Sequence, residues 1–139
     1  MIMNRIIKLG VSFTMLIISS LSVAQCPSDD LVKKVSTKLN GFTFLKSFKI
    51  DKAKEDVEYS YVFTSNTNYV ISLGNTNGND GNIEINLFDS SRKLVLSNKL
   101  KDKTFPVITY ACKATGIYYM TYKMADGACG VSVVGFKKI

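Results

Sequence analysis

The chain has 139 residues, a formal net charge of +7, no histidine, no tryptophan and three cysteines. Without histidine, Ser-His-Asp and Cys-His catalysis, imidazole metal sites and the usual general base near neutral pH are excluded. Three thiols fall short of a cysteine-only zinc site, which takes about four, and the chain has no glycine-rich phosphate loop.

Residues 1–24 read as a secretory signal peptide. Arg5 and Lys8 give a positive start, Leu9 to Leu21 is apolar apart from small polar residues and glycine, and Ser22-Val23-Ala24 supplies a small-residue cleavage site. A retained anchor is the rival reading, but a spanning helix needs about 20 apolar residues. The acidic run Pro27-Ser28-Asp29-Asp30 also stands where a stop-transfer segment would be basic. Lipidation of Cys26 wants a smaller neighbour than Gln25. The expectation is a single exported domain, residues 25–139, secreted or periplasmic and not membrane-spanning after cleavage. Loss of Arg5 and Lys8 leaves a net charge of about +5. Arg92 is then the only arginine. Bidentate phosphate recognition favours arginine, so no nucleic-acid partner is expected; the lysines read as solubilising, with some attraction to an anionic envelope.

Ser28 to Leu39 predicts one helix. Ser28 is an N-cap, Asp29 and Asp30 suit the positive end of the helix dipole, Leu31, Val32, Val35 and Leu39 recur at helical spacing, and Asn40-Gly41 is a stop. The period then becomes two. Phe42–Phe44 and Phe48–Ile50 read as two short extended pieces, and Val57, Tyr59, Tyr61 and Phe63 form one face of a strand. Further strands are predicted at Tyr69–Leu73, Ile83–Leu87, Leu94–Leu96, Phe105–Cys112, Ile117–Tyr122 and Cys129–Val134, with Gly135–Ile139 as a tail. About eight strands at this spacing predict an all-β fold: a two-sheet antiparallel sandwich, jelly-roll-like, with one short N-terminal helix.

The segment Tyr69-Val70-Ile71-Ser72-Leu73, the polar loop after it, Ile83-Glu84-Ile85-Asn86-Leu87-Phe88-Asp89 and Thr115-Gly116-Ile117-Tyr118-Tyr119 resemble bacterial pre-peptidase C-terminal domains, with a rhythm also similar to Golgi-dynamics-type sandwiches. The resemblance implies a jelly-roll sandwich acting as a non-catalytic accessory module. Gly116-Ile117-Tyr118-Tyr119 and the terminal Lys137-Lys138-Ile139 are also similar to sorting domains of the type IX secretion system, which points to a Bacteroidetes-like source.

Export permits disulfides, and three cysteines give one pair among Cys26, Cys112 and Cys129. In a simple meander Cys112 and Cys129 would lie a strand length apart, roughly 20 Å. Bridged Cα atoms lie within about 7 Å, so a pair that uses Cys26 is favoured. The loop Asn75–Asn82 offers Asn77, Asn79 and Asp80 as weak calcium candidates, with one carboxylate where calcium usually takes several; no other cofactor is expected. Asn75, Asn82 and Tyr119 are candidates for ligand contact, Tyr119 because Tyr118, Met120 and Tyr122 take the opposite face of their strand. Glu58 and Glu84 are the pair for a carboxylate hydrolase, but both alternate with apolar neighbours as outward residues do. The reading is a non-enzymatic module that binds a protein partner or cell-envelope component. The alternative is a small carbohydrate-binding or calcium-dependent adhesion module.

Overall fold

The computed structural model describes residues 28–51, 57–125 and 129–139. The predicted signal peptide and Cys26 lie outside the described residues.

The first element is helix α1, Ser28–Ser36, with Asp29 and Asp30 in its first turn. A 3-10 turn, Thr37–Leu39, extends it. The predicted stop works through backbone geometry: Asn40 at φ 46° and Gly41 at φ 89° are left-handed, the conformation that ends helices. The strands follow as β1 (Thr43–Asp51), β2 (Val57–Phe63), β3 (Thr67–Asn75), β4 (Ile83–Phe88), β5 (Leu94–Ser97), β6 (Lys99–Leu100), β7 (Lys103–Thr104), β8 (Val107–Cys112), β9 (Gly116–Met124) and β10 (Cys129–Lys138).

Eight of them build two four-stranded sheets, ordered β1-β10-β3-β8 and β2-β9-β4-β5, and every pairing is antiparallel. The chain is therefore a β-sandwich, in which most connections cross from one sheet to the other. Three local expectations are corrected. Phe42–Phe44 and Phe48–Ile50 merge into the single strand β1, joined across an irregularity between Phe44 and Lys46. The tail from Gly135 continues β10 to Lys138, because it pairs with both β1 and β3. The strand expected from Phe105 starts at Val107, after Pro106, while the two-residue β6 and β7 carried no periodic signal.

Between the sheets, Phe48, Phe63, Tyr69, Ile71, Leu73, Ile85, Leu87, Tyr118, Met120 and Tyr122 form the main core. Phe63 is fully buried and stacks on Tyr69 and Tyr118, with centroids 4.0 and 5.1 Å away. The Tyr122 hydroxyl donates to Ser132 Oγ at 2.8 Å, a bond from one sheet to the other. Burial pushes the Tyr122 hydroxyl well above the ordinary tyrosine value. Tyr118 shifts the same way through burial and hydrogen bonds with Tyr110 and Cys112.

A second, smaller core lies outside the first sheet. Val35 and Leu39 of the helical segment cover Val70 of β3 and Val131 and Val133 of β10, with Leu31, Val32 and Phe42 at the margin. Gly74 permits this approach: a Cβ there would sit 2.3 Å from Val35 Cγ2. Thus β3 and β10 are buried on both faces.

Candidate binding surface

The outer face of the second sheet has no such cover among the described residues. Strand alternation turns Val57, Tyr59, Tyr61 and Phe63 inward and sends Glu58, Ser60 and Val62 outward from β2. The register does the same for Ile117, Tyr119, Thr121 and Lys123 of β9 and for Glu84, Asn86 and Phe88 of β4. Val62 pairs with Ile117, Tyr119 lies between Ser60 and Phe88, and Phe88 pairs with Leu94. The result is an apolar row across all four strands, with Val62 56%, Leu94 50% and Ile117 46% exposed. A shallow depression of about 470 Å³ opens beside it, lined by Ser60, Tyr61, Val62 and Ile117.

One cation crosses the row. In the turn between β4 and β5, Asp89 Oδ1 accepts from the amides of Ser91 and Lys93, and Arg92 takes a left-handed φ of 63°. Its guanidinium lies 3.8 Å from the Tyr119 ring centroid and pairs with the Glu58 carboxylate. The ion pair is exposed and adds at most about 1 kcal/mol. Its consequence is steric: one face of the Tyr119 ring, where a sugar would stack, is occupied by Arg92. Sequence reasoning singled out Tyr119 without Arg92; the signal was there in the only arginine of residues 25–139, placed in a turn.

The opposite half of the same face is polar. Glu84 lies level with Lys123, and Lys99 Nζ stands 3.9 Å from its carboxylate. Glu58 and Glu84 thus share an open face, each beside a cation, with β9 between their strands.

The loop after β3 is closed on itself. Asn75 is buried; its Oδ1 accepts from the Asn77 amide, and Asn77 Oδ1 accepts from the Asn79 amide. Asp80 Oδ1 accepts from the Asn75 amide, and Oδ2 takes the Lys38 ammonium, both at 2.8 Å. Asn82 is half-buried, and its carbonyl accepts from the Ala125 amide. The loop's single carboxylate is thus engaged on both oxygens, and no group of three or more His, Cys, Asp or Glu occurs among the described residues.

Cys112 is a free, buried thiol at the end of β8, 3.5 Å from the Tyr118 hydroxyl. Cys129 is not a free thiol. Cys112 pairs with Thr67, and Gly130, next to Cys129, pairs with Asn75. These positions are eight residues apart along β3, or about 27 Å at strand rise. The expected separation of Cys112 from Cys129 holds, though by a different route: they belong to strands on opposite sides of β3 rather than to a meander.

The fold places the chain among two-sheet antiparallel sandwiches with a helix over one sheet. No family model matches it, and no curated protein is similar in sequence. Among solved structures it is similar to PliG of Aeromonas hydrophila, a periplasmic lysozyme inhibitor of g-type lysozyme. The match has a TM-score of 0.50 and 13% identity, covering 70% of this chain and 90% of that one. At that identity the likeness is one of fold. No helix among the described residues is long and apolar enough to cross a membrane.

Proposed function

We propose that this is an exported, non-catalytic sandwich that binds a protein partner through the uncovered face of its second sheet. The observation that carries the reading is the apolar row Val62, Ile117, Phe88 and Leu94, partly exposed on a sheet that nothing described covers. Contiguous apolar surface on a small domain marks interaction sites. The similarity in fold to a periplasmic inhibitor of another protein supports both a partner of this class and a periplasmic setting. The setting, though not the partner, is also supported by Cys129, which is not a free thiol: with Cys112 free, we infer a disulfide from Cys129 to Cys26, which calls for an oxidising compartment.

The test uses residues 25–139 as bait in envelope extract, beside the double variant Val62→Glu/Ile117→Glu. A protein retained by the wild type and lost at least tenfold with the variant is the expected result. Retention of polysaccharide alone, or equal capture by both baits, overturns the reading. In the same preparation, a non-reduced peptide map is expected to contain Cys26 joined to Cys129.

A further inference from the structure

Where the chain passes from β5 in one sheet to β8 in the other, β6 and β7 form a small hairpin, Lys99 paired with Thr104 and Leu100 with Lys103. Its base is fixed by Asn98, which is almost fully buried. Asn98 Oδ1 accepts from the Ile85 amide, and Nδ2 donates to the carbonyls of Ile83 and Phe105. The Phe105 amide returns to the Asn98 carbonyl, and Thr104 Oγ1 donates to the Gly81 carbonyl. Both ends of the arm are therefore bound to the rest of the fold.

The tip is the opposite. Leu100 is 65% exposed, and Lys99, Lys101, Asp102 and Lys103 around it are all exposed. Phe105 and Val107, where the arm rejoins β8, are exposed as well. Lys101 sits at φ 56°, a conformation that disfavours any residue bearing a side chain. A leucine beside the Lys101-Asp102 turn of an arm clamped at its base, set among three lysines and one aspartate, is poorly placed for folding and well placed for contact.

We propose that the hairpin Lys99–Thr104 docks the protein on an anionic lipid surface, with Leu100 entering the boundary of the acyl chains and Lys99, Lys101 and Lys103 on the phosphate headgroups. Size decides between this and a protein contact. A specific protein interface takes about 20–30 residues on each side, and this arm has six. Adhesion to an anionic bilayer needs no matching surface: it accumulates lysine by lysine and gains from each inserted apolar group. Lysine stems can lie along the apolar boundary while their ammonium groups stay at the headgroups. The hairpin shares no residue with the apolar row of the second sheet and touches the polar half of that face only through Lys99, 3.9 Å from the Glu84 carboxylate, so the variants that test it are at Leu100, Lys101, Asp102 and Lys103.

The experiment is co-sedimentation of residues 25–139, which contain every described element, with vesicles of phosphatidylglycerol and phosphatidylethanolamine, against phosphatidylcholine alone. Binding is expected to the anionic vesicles only and to be lost in about 0.5 M salt. Leu100→Glu abolishes it, and Lys101→Gln and Lys103→Gln each weaken it about fivefold. Asp102→Asn strengthens it by a similar factor on the anionic vesicles and leaves sedimentation with phosphatidylcholine unchanged, a difference that sets it apart from misfolding. Equal binding to phosphatidylcholine, no binding to the anionic vesicles, or no response to Lys101→Gln and Asp102→Asn overturns the proposal. So does an envelope protein held through Leu100 when vesicles are not.

Discussion

The two sheets of this sandwich share one interior and differ outside it. The first carries the helical segment on its outer face, so Val70, Val131 and Val133 are buried a second time. The second presents Val62, Ile117 and Leu94 to solvent. These residues are of the same chemical kind and lie on the same kind of strand. What separates them is cover, and cover decides whether an outward aliphatic contributes to stability or remains available to a partner.

The strongest way to break the contrast is to spoil the covered side. Val35→Asp puts an unpaired carboxylate between α1 and the first sheet and is expected to cost about 3–5 kcal/mol, read as a lower urea midpoint. A cost below about 1 kcal/mol would mean that the helix adds little.

The shared interior gives a second test, through pH. Tyr122 spans the two sheets with its hydroxyl on Ser132, and burial raises its pKa above the unfolded value near 10. The folded state therefore keeps a proton that the unfolded chain loses. Its contribution is intact below about pH 10 and declines as pH rises beyond that, by up to about 1.4 kcal/mol per pH unit. Denaturation at pH 8 and pH 11 should show this loss as a single transition for both sheets, and Tyr122→Phe should make it shallower. An unchanged slope in that variant would remove Tyr122 from the account.

The smallest effect is expected on the open face. Val62→Thr should alter stability by no more than about 0.5 kcal/mol, where a comparable change at Val133 would be felt throughout the second core. A loss above about 1 kcal/mol at Val62 would mean that this face is covered in solution.

Much of the fold was legible wherever one residue's neighbours in sequence are also its environment. The alternation from Val57 to Phe63 fixed which face of β2 turns inward, and Asn40-Gly41 marked the end of the helical segment through left-handed geometry. Apolar runs were harder. Val133-Val134 fits one strand equally well with one face wet or none; only the helix on the outer face makes both buried. The candidate surface was half legible. Tyr119 could be placed on the outward face from Tyr118 and Met120, but Arg92 lies 27 positions away and meets it only because β4 and β9 pair. The hairpin at Lys99–Thr104 was illegible, since two-residue strands have no period to detect.

The sequence by itself determined the class of the protein: an all-β sandwich, one short helix, and no histidine-based chemistry. Those follow from composition and from periods of two and 3.6, which act over a few residues. The tertiary structure decided which outward residues are covered, where Arg92 reaches, which cysteine stays free and how the arm at Leu100 is clamped. Each depends on strands brought together from distant parts of the chain. Such pairings are set by packing the whole interior, and no local pattern encodes them.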